Sequence, residues 1–220
     1  MSEKLRLRFA KEGRAVYISH LDLMRTMQRV FQRAGLSLKY SEGFNPHPVL
    51  SILLPLSVGT QSVCELMDFQ LEEAADLDSL PARLSAVMPE GIRALEAYPE
   101  GRKVRELKWL RVEGGLEYDR VDFSEMRYGQ QRFFAREQIV IRKKTKRGEG
   151  ESDIAPAIRS IGFETRCGAV TLSAVISAQD PTLNPELLIS ALRQLEPALA
   201  PDFAEFTRLE VYDEKMKVFR

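Results

Sequence analysis

The chain has two histidines, His20 and His47, and both lie in the segment 19–65 that also holds the turn Gly43-Phe44-Asn45-Pro46-His47-Pro48. Imidazole changes charge near neutrality, so these rings are the first candidates for acid–base chemistry or ligation. His20 follows Ser19 at a predicted helix start, where the positive end of the helix dipole favours a neutral ring. His47 stands between two prolines that stiffen its backbone and remove neighbouring N–H donors, so a rigid loop presents its side chain. His20 and His47 are therefore the candidate catalytic residues, although Ser19 and Asp22 also account for the helix start as a simple cap. Asp22, Cys64 or Glu65 could join the histidines around a metal, but their spacing matches no zinc pattern, and no metal is expected. Ser19, Ser41, Ser51 and Ser57 lie outside any G-x-S-x-G elbow, and no Walker or dinucleotide loop is present, so no cofactor is expected.

Cationic residues suggest binding rather than reaction. Arg25, Arg29 and Arg33 recur every four residues, which lines them along one face of a helix. Tyr40 and Phe44 flank the turn as stacking faces, with Asn45 beside them, and Lys143, Lys144, Lys146 and Arg147 form a second basic cluster. Guanidinium and ammonium groups interleaved with aromatic rings suit RNA or another polyanion. The formal net charge is +0, with 32 basic and 32 acidic residues, so no global field draws in such a ligand. The distribution is less even: residues 1–60 carry a net +5, 61–100 a net −7, 101–147 a net +7 and 148–220 a net −5. If the fold joins the two basic blocks, a local field holds a polyanion; otherwise the segregated charges solvate different faces.

The elements that must position these residues read as a rhythm of strands and helices. Leu5, Leu7 and Phe9 alternate with Lys4, Arg6 and Arg8, the period of a half-exposed strand. Ser19 opens a helix running to Ala34 and stopped by Gly35, with Leu23, Met24, Met27, Val30, Phe31 and Ala34 on its apolar face. After Leu36–Tyr40 and the Gly43–Pro48 loop come strands at 49–56 and about 62–71, a helix at 76–88 ended by Pro89, and a strand at 92–98. Further on, strands are expected at 107–112, 138–142, 169–177 and 206–212, with helices at 119–127 and at 185–195 capped by Asn184. Residues 148–162 break the rhythm and read as an inserted loop with one short element near Ile154–Ile158. No residue-level repeat between the halves is visible. Element order alone predicts an α+β protein of two tandem ferredoxin-like domains, β-α-β-β-α-β with antiparallel sheets. The first covers 1–104 with the GFNPHP loop. The second, degenerate, covers 105–220 with the basic run 142–147 and the inserted loop 148–162.

Hydrophobic residues make up 44% and charged residues 29% of the 220 positions, a globular composition. No apolar run approaches the roughly 20 residues that cross a bilayer, and MSEKLRLRF lacks a signal-peptide core, so a cytoplasmic location without membrane contact is expected. Cys64 and Cys167 are too few for a disulfide framework and are expected to be buried.

The runs SHLDLMR, YSEGFNPHP, PLSVG followed by SVCELMD, and KKTKRGEGESDIAP together resemble the bacterial radical-SAM-linked, or radical-SAM-associated, proteins over nearly the whole chain. That resemblance implies a radical S-adenosylmethionine protein as partner and leaves the domain's own activity unassigned. The chain has no C-x-x-x-C-x-x-C motif, so it resembles the stand-alone associated domain, without the radical cofactor. A more distant resemblance, carried by the arginine stripe and the YSEGFNPHP turn, is to repeat-associated (RAMP-type) RNA-binding proteins, which include CRISPR repeat-processing endoribonucleases. Their C-terminal glycine-rich loop is not evident here, which lowers the nuclease expectation more than the binding one. The expected function is an RNA-binding module associated with a radical SAM protein. The alternatives are a metal-independent endoribonuclease using His20 and His47, and a protein-interaction adaptor that binds no nucleic acid.

Overall fold

Alternating Leu5, Leu7 and Phe9 form one face of β1 (Lys4–Lys11), as a period of two requires. The computed structural model describes residues 3–119, 122–145, 148–166 and 169–220 as a mixed α+β protein. The chain divides into two compact units, Met1–Glu106 with Phe219–Arg220, and Leu107–Val218. Among the described residues no helix is long and apolar enough to cross a membrane.

In the first unit β1 is followed by α1 (His20–Arg33), β2 (Leu50–Leu53), β3 (Gln61–Gln70), α2 (Leu80–Ser85) and β4 (Ile92–Pro99). The sheet order is β4-β1-β3-β2, and each neighbouring pair is antiparallel. Leu23, Met27, Val30 and Phe31 of α1 bury against Leu7, Phe9, Met67 and Phe69 of the sheet. Phe31 and Phe69 meet with ring centroids 4.9 Å apart. Strand β2 is shorter than the expected 49–56, because Leu54 turns to φ 48° and Pro55 has no N–H to continue a ladder. Helix α2 is shorter than 76–88. Asp76 instead accepts the Asp78 N–H at 3.3 Å and, through its carbonyl, the Ser79 hydroxyl at 3.3 Å, which makes a turn before Leu80.

Strand β1 is not half-exposed as its alternation suggested. Arg6 is fully buried: its guanidinium donates to Asp68 at 2.6 and 3.0 Å and to the Arg102 carbonyl at 2.9 Å. The Phe219 ring lies 5.0 Å from it. Residues far along the chain thus cover the face that local alternation left open. Arg6 Nη1 has no hydrogen-bond partner among the described residues. Lys11 is buried too, its Nζ donating to the Val16 carbonyl at 3.0 Å. Burial pushes the Lys11 pKa down, and the Glu65 carboxylate partly offsets this.

In the second unit β5 (Leu107–Glu117), α3 (Phe123–Phe134), β6 (Val140–Thr145), β7 (Gly148–Asp153), β8 (Ile158–Arg166), β9 (Ala169–Ser177), α4 (Glu186–Leu195) and β10 (Phe203–Asp213) follow in turn. The sheet order is β10-β5-β9-β8, again antiparallel throughout. Strand β5 continues past Val112 because Gly114 lies opposite Phe206 and a Cβ there would sit 2.6 Å from that ring. Helix α3 starts later than the expected 119–127, where the Asp122 carboxylate accepts the Ser124 and Glu125 N–H groups at 2.8 and 3.2 Å. Residues 148–162 are not an inserted loop. They hold β7, a 3₁₀ turn at Ala155–Ala157 and the start of β8, and the addition to the pattern is the separate β6–β7 hairpin. There Arg142 faces Glu151 in register, so opposite charges meet across the strands.

Both units therefore share a strand–helix–strand–strand–helix–strand sheet pattern in which the fourth strand pairs with the first, the first with the third and the third with the second. Matching first strand to first strand reveals the repeat that the bare sequence hides. Arg8 matches Arg111 and Gln28 matches Gln131, a spacing of 103 residues in each case. At the same spacing Leu7 matches Leu110, Arg29 matches Arg132, Phe31 matches Phe134 and Arg33 matches Arg136, without a gap.

Asp68→Ala should strip Arg6 of its hydrogen-bonded carboxylate, leaving only Glu100 at 3.8 Å, and cost about 3 kcal/mol in urea denaturation. The double change Arg6→Met with Asp68→Leu should cost less than that single one. Burial pushes the phenols of Tyr98 and Tyr118 up to about 12, from the ordinary 10.0. Their folded values exceed the unfolded one, so the stability they contribute is complete below pH 10 and is lost as pH rises through about 12. Alkaline unfolding followed by tyrosinate absorbance should fall in that window, and Tyr98→Phe should remove part of the dependence.

Candidate functional site

The first turn of α1 is a closed cap: Ser19 Oγ accepts the Asp22 N–H at 3.2 Å and donates to Asp22 Oδ2 at 2.7 Å. Asp22 also takes Arg25, 3.3 Å from its Oδ1. At the other end Gly35 adopts φ 66°, the left-handed conformation that lets a helix stop. Arg83 caps that end, donating to the Ala34 and Gly35 carbonyls at 2.8 and 3.2 Å. Arg33 turns back to donate to the Val87 carbonyl at 2.8 Å. The three arginines of the stripe are all exposed, yet they differ. Arg25 has a carboxylate and Arg33 a carbonyl, whereas Arg29 makes no ion pair among the described residues.

Burial of the apolar stripe turns the opposite face of α1 toward a groove of about 720 Å³. Arg25, Gln28, Arg29 and Gln32 form one wall, and Tyr40, Pro48 and Glu72 contribute to the rest. Guanidinium and amide groups on such a wall can donate to phosphate oxygens and pair with base edges, and the half-exposed Tyr40 ring offers a stacking face. Glu72 is the single carboxylate in the lining. It is placed there by its N–H, which donates to the Ser37 carbonyl at 3.0 Å.

Tyr40 and Pro48 are also the base of the 41–47 loop, paired across it as an isolated bridge. Just inside that bridge the Ser41 N–H donates to the His47 carbonyl at 2.8 Å, and the His47 N–H donates to Ser41 Oγ at 3.1 Å. The Ser41 hydroxyl, which accepts that N–H, lies 2.9 Å from His47 Nδ1 and can donate to it. Asn45 contributes its carbonyl, 3.4 Å from the same nitrogen. With the base pinned, Phe44 stands at the tip at 111% relative exposure, held out by a loop whose stiffness comes from Pro46 and Pro48.

The groove gathers Arg25, Arg29 and Tyr40 from the sequence candidates, while His47, Asn45 and Phe44 belong to the loop that rises from it. His20 is exposed in the first turn of α1 and does not line the groove. Nine residues separate it from Arg29, which at about 100° per residue sets them on opposite sides of the helix. Lys143 and Lys144 belong to β6 of the second unit, and Lys146 and Arg147 lie outside the described residues, as does Cys167. Cys64 is buried. Among the described residues no three His, Cys, Asp or Glu side chains gather as a metal site. Gln28, Gln32 and Glu72 were missed in the sequence. The glutamines were legible, since they alternate with Arg25 and Arg29 along one helix face, but Glu72 reaches the groove only through tertiary pairing.

Ser41→Ala should leave the fold intact and cost about 1 kcal/mol locally, read as faster hydrogen exchange at the His47 amide with the α1 amides unchanged.

No curated protein matches the chain. Among solved structures it is similar to an unknown protein from Galdieria sulphuraria, at 8% identity over 94% of this chain and 98% of that one with a TM-score of 0.27. It is also similar to the acetolactate synthase small subunit from Thermotoga maritima, at 8% identity over 97% and 98% with a TM-score of 0.26. At such scores neither likeness bears on fold or function. The family described as an uncharacterized protein conserved in bacteria (DUF2344) matches residues 4–185, and the chain belongs to that family.

Proposed function

We propose that the chain is an RNA-binding module of two ferredoxin-like units, working beside a radical SAM protein, and that the α1 groove holds the phosphodiester backbone. The observation that carries this is the wall of Arg25, Gln28, Arg29 and Gln32 opposite Tyr40. It combines donors for phosphate with a ring for a base, and Arg29 is left available for an anion. The partner follows from the resemblance of the SHLDLMR and YSEGFNPHP runs to radical-SAM-linked proteins. Arg142 favours a different role for the second basic cluster. It lies 3.9 Å from Glu151 across the hairpin, so part of that cluster's charge is already answered, and the α1 groove is the better place for the ligand.

A second reading, an endoribonuclease, is favoured by His47 alone. Its ring sits on the pinned loop whose base lines the groove, and its Nδ1 already has the Ser41 hydroxyl at 2.9 Å, so one nitrogen is oriented while the other, without a hydrogen bond among the described residues, can take part in proton transfer.

Fluorescence anisotropy with a labelled single-stranded oligoribonucleotide tests both. Binding should weaken as salt rises, and Arg25→Glu with Arg29→Glu should lower affinity at least tenfold and flatten the salt slope by about 0.7 for each phosphate that is no longer neutralised. Affinity unchanged by that pair rules out the groove. Cleavage that disappears in His47→Ala would establish the enzyme, and RNA left intact by the unaltered chain would exclude it.

A further inference from the structure

The repeat at 103 residues extends beyond matching letters to matching roles. Ser19 and Asp122 each cap the first helix of their unit through a side-chain oxygen. Phe31 and Phe134 each lie on a phenylalanine of their own sheet, though on strands that do not correspond, Phe69 of β3 at 4.9 Å and Phe163 of β8 at 5.7 Å between ring centroids. The second sheet strand of each unit is preceded by a proline two residues before it begins, Pro48 before Leu50 and Pro156 before Ile158. Strand entry beside the first helix is one of the features that shape the first groove, so a duplicated frame that keeps it should form a second hollow between the first helix and the second sheet strand.

It does. Between α3 and the start of β8 lies a hollow of about 390 Å³, to whose lining Gln131, Arg136, Glu137, Pro156 and Arg159 contribute. Gln131 matches Gln28, and Pro156 matches Pro48. The charges also correspond. In the first groove Arg25 is tethered to Asp22, Arg29 has no ion pair among the described residues, and Glu72 is the one acid. In the second Arg136 is tethered to Glu196, Arg159 has no ion pair among the described residues, and Glu137 is the one acid. Arg159 is exposed, and its guanidinium is steadied over the Trp109 ring at 5.3 Å. The match is not residue for residue: Tyr128 and Arg132, the counterparts of Arg25 and Arg29, face a neighbouring hollow beside Ala198 and Leu199, and Arg136 is by position the counterpart of Arg33, which does not line the first groove.

We infer that the α3–β8 hollow is a second binding site, for the same phosphodiester backbone as the α1 groove, so that the chain engages two stretches of single-stranded RNA. The inference rests on the RNA reading of the first groove. A guanidinium and a carboxamide at the mouth of a half-open hollow recognise phosphate and base edges regardless of sequence. Two such sites raise avidity when one strand reaches both.

The test is titration calorimetry of the full chain with a single-stranded oligoribonucleotide of about eight nucleotides, a length matched to one such site. The unaltered chain should bind two equivalents. Arg25→Glu with Arg29→Glu should leave one, Gln131→Ala with Arg159→Gln should leave one, and the four changes together should leave none. A single equivalent weakened at least tenfold by either pair also supports the inference, since it means that one strand occupies both sites. A single equivalent abolished in Arg25→Glu with Arg29→Glu and untouched by Gln131→Ala with Arg159→Gln overturns the second site and keeps the first. Absence of binding, or binding that ignores Arg25 and Arg29, overturns the RNA reading and the second site with it. Both pairs change exposed side chains, and an unchanged thermal midpoint for each variant separates a binding defect from a folding defect.

Discussion

Burial of the α1 stripe governs everything the first unit offers to a ligand. Leu23, Met27, Val30 and Phe31 can leave water together only if the helix lies in one rotational setting on the sheet. At about 100° per residue that setting sends Arg25, Gln28, Arg29 and Gln32 to the far side as a row. The groove is therefore a by-product of core packing. Its position is as firm as the core, and its chemistry is whatever the outward positions happen to carry. The same setting carries His20 away from Arg29, because a residue half a turn round cannot serve the same wall. Hydrophobic burial thus decides which of the sequence candidates become neighbours.

Backbone constraints then decide how the groove ends. Gly35 at φ 66° stops α1 and turns the chain toward Tyr40, and Ser41 with His47 closes the loop above it through three hydrogen bonds of 2.8 to 3.1 Å. A phenylalanine held in water at the tip of so short and pinned a loop contributes nothing to the core, so its exposure is maintained by the loop and not by packing. Charges elsewhere are handled differently. Arg6 is buried on Asp68 at 2.6 Å, and Arg142 is set opposite Glu151 across a hairpin, so positive residues that look alike in the sequence differ widely in how available they are to an anion.

The element order was legible because both periodicities survive in the letters. Alternation marked β1, caps at Ser19 and Gly35 marked α1 to within a residue, and the apolar run at 169–177 marked β9. Errors arose where a local signal was overruled from a distance. The strand expected at 107–112 runs on to Glu117, with Gly114 across from Phe206, and 148–162 looked like a loop because charged and glycine-rich strands lack an apolar face. Of the candidate groove, Arg25, Arg29 and Tyr40 could be found from spacing and residue type. Glu72 could not, since a bridge between Leu38 and Leu71 brings it there. The internal repeat was hidden for a related reason. Few letters are shared, and only the common sheet order supplies the frame in which Gln28-Arg29 and Gln131-Arg132 fall into correspondence.

By itself the sequence determined the α+β character, the helix faces and the rigidity of the proline-bounded loop, because propensity, capping and side-chain period act over a few residues. Only the tertiary structure decided which cations are buried, which are paired and which line a groove. Those outcomes depend on residues as far apart as Arg6 and Asp68, or Arg159 and Trp109. Burial and electrostatics are set by distance in space, which separation along the chain does not encode.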